Sequence, residues 1–193
     1  IEPWMTLADG ALSGLSWGRT EIDTTIGRSL ISGGALQAQF DLRDRAGPEA
    51  QAALDSLARD LVERFQDPAL DPTITPGGAG LFTDGAGAFV ASNEEGLSQR
   101  LNVNGALDPS AGGETWRLRD GIAAAGEGVR GDNTLIIALR ERLTGPRSPS
   151  SGPFTGESRS VASQAARFLT SIATERQARD RDNSFETARL DAF

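Results

Sequence analysis

The stretch PEAQAALDSLARDLVERF, residues 48–65, decides how this chain is read. Ala50, Ala53, Leu54, Leu57, Ala58, Leu61, Val62 and Phe65 recur there at spacings of three and four. A helix turns once in about 3.6 residues, so these side chains fall on one side of it. Glu49, Gln51, Asp55, Ser56, Arg59, Asp60, Glu63 and Arg64 fill the other side. The pattern predicts an amphipathic helix of about five turns. Asp55 with Arg59, and Asp60 with Arg64, are i,i+4 pairs in the favourable order, each worth roughly 0.2–0.5 kcal/mol on an exposed helix. Pro48 suits a first helical turn, where its missing N–H has no intrahelical partner. Gly47-Pro48 is therefore read as a break, closing a shorter helix over 34–46 and starting this one. In that shorter helix Ala35, Leu36, Gln39, Phe40 and Arg43 keep helical spacing.

Toward the N-terminus the character changes. Residues 1–33 are rich in Gly, Ser and Thr, with loose alternation in Leu12 to Trp17 and Thr20 to Ile26 and a turn signal at Asp9-Gly10. This reads as a small β region. Toward the C-terminus, residues 67–89 are a loop set by Pro68, Pro72, Pro76 and several Gly. Ala88 to Ser92 fits a short strand, Gly96 to Val103 fits either a helix or a strand, and Asn104-Gly105 marks a turn. Glu114 to Ala125 suits a short helix or irregular packing around Trp116 and Leu118. A helix over 133–143 carries Leu135, Ile136, Leu139 and Leu143, with Asp132 as N-cap. Residues 144–158 read as a Gly/Pro/Ser linker or loop. Residues 160–193 form one long helix capped by Ser160, with a stripe of Val161, Ala165, Phe168, Leu169 and Ile172. The stripe is lost over Thr174 to Asp182 and resumes at Phe185, Ala188, Arg189 and Phe193. A long helix that loses its stripe midway leaves the core and needs a second partner.

Composition narrows the chemistry. The 193 residues contain no His, Cys, Tyr or Lys, and all 19 basic residues are Arg. That removes thiolates, the commonest metal ligand and general base, and the lysine of a Walker loop or Schiff base. Carboxylates remain the only acid–base or metal-binding set. A net charge of -8 disfavours nucleic acid and anionic membranes as partners. The longest apolar run, Leu135 to Leu139, is far short of the ~20 residues of a membrane span. The opening Ile1-Glu2-Pro3-Trp4 and the still-helical Leu190-Asp191-Ala192-Phe193 suggest a piece of a longer chain.

Each short motif is outweighed by a plainer role. Gly126-Glu127-Gly128-Val129-Arg130-Gly131 matches G-x-G-x-x-G, but no convincing strand precedes it. Arg130-Gly131-Asp132 spells an integrin-read tripeptide, yet Asp132 serves as a helix cap. Asp180, Asp182 and Asn183 lack the glycine and twelfth-position Glu of a calcium loop. Glu94-Glu95 and Glu114 are surface acids rather than a glycosidase pair. Trp4, Trp17 and Trp116 are read as core aromatics before a sugar platform. No catalytic, cofactor-binding or metal-binding residue is assigned, and the chain is read as not an enzyme.

Four segments occur in the order of a known family. Ser32-Gly33-Gly34-Ala35-Leu36 through Arg43-Asp44 precedes the long amphipathic helix. Leu101-Asn102-Val103-Asn104 leads to Leu107-Asp108-Pro109. Gly131-Asp132-Asn133 opens an apolar helix, and residues 160–193 follow as a long helix. Together, over residues 30 to 193, they resemble the flagellar hook-associated protein 1 family, the junction between hook and filament. The family's N-terminal helices and its extreme C-terminal coiled-coil segment are not in this chain. Residues 67–92 hold more Gly and Pro than the family, with Leu81-Phe82 in place of its Phe-rich segment.

The reading is a mainly α chain with a small β portion (α+β), a helical bundle with a long C-terminal helix and an N-terminal β hairpin region. Residues 1–31 end an outer β-rich domain, and residues 32–193 form a helical core-type domain. The resemblance implies an extracellular axial subunit exported by the flagellar type III apparatus. It implies self-association into a junction ring, with hook protein and the second hook-associated protein as neighbours. An export chaperone would act through the segment not present. The reading also implies open apolar helix surface where the absent helices would pack. The alternatives are a secreted adhesin-like, carbohydrate- or host-binding module, and a glycan-cleaving enzyme using two carboxylates.

Overall fold

The structure, a computed structural model, describes residues 15–22 and 34–191. The Asp9-Gly10 turn, Trp4, Phe193 and the boundary drawn at residue 31 lie outside the described residues. The first described element is an antiparallel hairpin of β1 (Leu15–Trp17) and β2 (Thr20–Ile22), with Leu15 opposite Ile22 and Trp17 opposite Thr20. The chain is mainly α with small β portions, as its patterning indicates.

Helix α1 (Gly34–Asp41) does not stop before α2 (Gly47–Phe65). A π turn over Leu42–Ala46 joins them, so the expected break at Gly47-Pro48 is absent. The reason lies in Pro48, which has no N–H and whose ring presses on the carbonyl one turn back. Widening that turn relieves the clash without ending the helix. The Gly47 N–H accordingly bonds the Leu42 carbonyl, five residues back. A Cβ on Gly47 would sit 2.7 Å from that oxygen, so the widened turn needs glycine here.

The predicted helix over 48–65 is present, but it is not two-faced. Ala53, Ala58, Val62 and Phe65 are buried, and so are Asp55, Ser56, Asp60 and Arg64. Chain packs on both sides of α2. On one side Ala58, Val62, Phe89 and Leu97 form the core, with Phe82 and Leu101 against them. The Phe65 and Phe82 rings meet edge to face at 5.4 Å. Full burial of Val62 or Leu97 is worth about 1.5–3 kcal/mol each.

The loops that wrap α2 are ordered by polar contacts. The strand expected at Ala88 to Ser92 is instead β3 (Phe82–Asp84), antiparallel to β4 (Leu101–Val103), with Phe82 opposite Val103. Residues 88–92 run into a 3₁₀ turn at Ala91–Asn93. The ambiguous stretch 96–103 divides into a single turn, α3 (Leu97–Arg100), and then β4. Asp55 accepts the N–H groups of Gly96 and Ser98, both at 2.8 Å, and a Gln51 Nε2 bond at 3.0 Å. It therefore caps α3 and does not pair with Arg59. The turn at Asn104 is a 3₁₀ start, with its side chain accepting the Ala106 N–H. Gly80 lies so close to α2 that a Cβ would fall 1.9 Å from the Phe65 carbonyl.

Helix α4 (Arg117–Asp120) is one turn, and α5 (Thr134–Thr144) follows where predicted. The N-cap position of α5 falls on Asn133 rather than on the expected Asp132, because Asp132 Oδ1 closes a local turn instead, accepting both the N–H and the hydroxyl of Thr134 two residues on. The segment 144–158, read as a linker or loop, is a loop that lies on α2. Ser56 Oγ donates to the Ser151 carbonyl at 2.6 Å, and Arg147 bridges to Arg159 through the backbone. The burial of Phe154 anchors the segment. The last helix, α6 (Val161–Asp191), is capped by Ser160, whose Oγ accepts the Ser163 N–H at 3.2 Å.

Candidate functional site

Two features stand out: a chain of buried and half-buried charges along α2, and apolar side chains left open on the helices. The charges alternate. Arg64 Nε donates to Asp60 Oδ2 at 2.7 Å, and Arg147 Nη1 to Asp60 Oδ1 at 2.5 Å. Arg147 Nη2 continues to Glu63 at 2.6 Å. Arg59 joins Glu63 at 2.7 Å to Glu94 at 2.6 Å. The side chains of Asp60 and Arg64 are 1% and 2% exposed. Three guanidinium groups thus neutralise three carboxylates.

Arg64 fixes the geometry. Its Nη1 donates to the carbonyls of Arg142 and Gly145, and its Nη2 to that of Arg159, all at 2.8 Å. The first two carbonyls are at the end of α5, where the helix leaves acceptors unpaired and carries partial negative charge. One side chain of α2 therefore caps α5 and ties down the approach to α6.

This arrangement holds its charges fixed rather than ready for proton transfer. Burial pushes Glu63 up, but bonds from Ser150, Arg147 and Arg59 outweigh it and leave the carboxyl below its usual range. The Arg100 guanidinium holds Asp84 low, and the Thr134 N–H holds Asp132 low. A general acid working near neutrality needs the opposite shift. A cleft of about 570 Å³ opens beside Arg64, Leu70, Glu141, Arg142 and Arg147. Arg64 and Arg147 are engaged as above, and Arg142 donates to Asp67 at 3.0 Å.

The residues weighed in the sequence do not converge. Gly128 donates its N–H to the Asp120 carboxylate at 3.0 Å, which places negative charge where a phosphate would bind. Arg130, Gly131 and Asp132 are exposed, with the Asp132 carboxylate occupied by Thr134. Asp180, Asp182 and Asn183 lie within α6 and are exposed. Glu94 is tied to Arg59 and Ser151, while Glu95 and Glu114 are exposed. The tryptophans are not core residues among the described ones. Trp17 is 83% exposed, and half-buried Trp116 lies under the Arg117 guanidinium at 4.8 Å. A two-stranded hairpin offers too little surface of its own to bury an indole. Among the described residues no group of three or more acids could hold a metal ion, and no helix is long and apolar enough to cross a membrane.

The open apolar surface is spread over several helical elements. Leu36 and Leu42 are exposed on α1 and the π turn. Ile136, Ile137 and Leu143 are exposed on α5, and Leu169, Ile172, Phe185 and Leu190 on α6. No protein-family model matches this chain, and no curated protein or solved structure matches it significantly.

Proposed function

We propose that this chain is a structural, self-assembling part of the bacterial flagellum, similar to the junction subunit between hook and filament. The observation that carries the reading is the open apolar surface of α1, α5 and α6. Apolar residues repeated on several helices of one small chain are suited to packing against other helices. The fixed, neutralised charges along α2 support a mechanical role over turnover. The order of the Ser32 to Asp44, Leu101 to Pro109 and Gly131 to Asn133 segments adds to it. On this reading the chain is not an enzyme. It works outside the cell after export through the flagellar type III apparatus. Its neighbours are further copies of itself in a ring, hook protein, and the second hook-associated protein. An export chaperone is its partner before secretion.

Deletion of the parent gene tests this directly. Cells that carry hooks and secrete flagellin but build no filament are the expected result. Normal filaments in the deletion strain would end the proposal.

One observation favours a second reading, a carbohydrate- or host-binding module: the open Trp17 indole on the hairpin. Stacking of a sugar on Trp17 would show as calorimetric heat with glycans that Trp17→Ala abolishes.

A further inference from the structure

Helix α6 is anchored at its start and held differently beyond it. The Gln164 side chain is buried and donates to the carbonyls of Arg147 at 3.0 Å and Arg159 at 3.4 Å. Arg167 pairs with Glu157 at 2.8 Å. From Leu169 to Asp191 every residue except Glu175 is exposed. No apolar side chain of that stretch is buried, so little hydrophobic free energy holds it to the body.

The ion pairs between this stretch and the body meet at one place, the junction of α1 with the π turn. Arg45 donates Nε and Nη2 to the two oxygens of Asp41, at 2.8 and 2.9 Å, and Nη2 also reaches Glu175 at 2.7 Å. Arg179 donates to Asp41 Oδ2, the oxygen that also accepts from Arg45 Nη2. The Asp41 side chain is only 7% exposed, so its charge depends on these two guanidinium groups rather than on water.

We propose that residues 169–191 are an electrostatically latched arm, closed by Asp41, Arg45, Glu175 and Arg179, which lifts from α1 about the anchored start of α6 when that cluster is broken. The latch is shut at neutral pH. The hydrogen bond from Arg45 holds the Asp41 carboxyl below its usual range; burial opposes this and Arg179 adds to it. The other charges at the cluster are Glu49, paired with Arg45 at 2.9 Å, and the adjoining Arg43–Asp44 pair. Strong acid removes the Asp41 charge and opens the arm.

The absence of cysteine makes a two-label distance measurement unambiguous. Spin labels on Ala38→Cys and Ala188→Cys, both exposed positions, span the latch from α1 to the arm. The otherwise unaltered chain should give one narrow distance distribution. Glu175→Gln with Arg179→Gln, at exposed or half-exposed helix positions that leave the body intact, should broaden it about twofold toward longer distances. Glu49→Gln, which removes a partner of Arg45 but no bond to α6, should leave it narrow. A distribution that stays narrow in the double variant, is already broad without it, or broadens equally in Glu49→Gln overturns the latch.

Discussion

Arg64 makes four hydrogen bonds, to Asp60 and to three backbone carbonyls, from a site with almost no access to water. Replacing it with Ala leaves a buried carboxylate short of a partner and three carbonyls without donors. The expected loss is about 3–5 kcal/mol, read as a lower urea midpoint at unchanged slope. Arg64→Lys should recover little of it, because an ammonium cannot reproduce the planar fork. By comparison Leu97→Ala, a fully buried truncation, should cost about 2–5 kcal/mol through lost transfer energy and a cavity. The Asp60–Arg64 pair was legible in the sequence as an i,i+4 spacing. Its burial was not, because helical period places a side chain on a face and does not say what covers that face. The same limit misplaced Asp55, which the spacing paired with Arg59 and which in fact caps α3.

At the scale of elements, the joint between α1 and α2 separates two expectations. On helix propensity alone, Gly47→Ala should stabilise by up to about 1 kcal/mol. The contact of its Cβ with the Leu42 carbonyl at 2.7 Å argues the reverse. The expected outcome is destabilisation of roughly 1–3 kcal/mol, visible as a lower Tm. A rise in Tm would mean that the π turn relaxes to a plain kink. Helices α2, α5 and α6 were legible from period, and α6 also from its Ser160 cap. The hairpin of β1 and β2 was legible too, inside the alternating runs Leu12 to Trp17 and Thr20 to Ile26, but the second strand pair was not. β3 and β4 are three residues each, and their pairing joins positions about twenty apart, which alternation over so short a run cannot reveal.

For the whole molecule, acid should be the most effective denaturing condition. Asp41, Glu63 and Asp84 all sit below their ordinary carboxyl values in the folded chain. Depressed carboxyls contribute stability that is fully present above the unfolded value and is lost as pH falls through the folded one. The urea midpoint should therefore hold steady from about pH 7 to 5 and fall below about pH 4. A midpoint that is flat down to pH 3 would mean that these pairs add nothing net. What this sequence determined by itself was its class: a mainly α chain of Arg-only basicity with a long final helix, because helical period and capping are local. Only the tertiary structure decided which charges are enclosed, that the segment 144–158 is packed rather than free, and which apolar faces stay open. Those depend on contacts between distant parts of the chain, and local spacing carries no record of them.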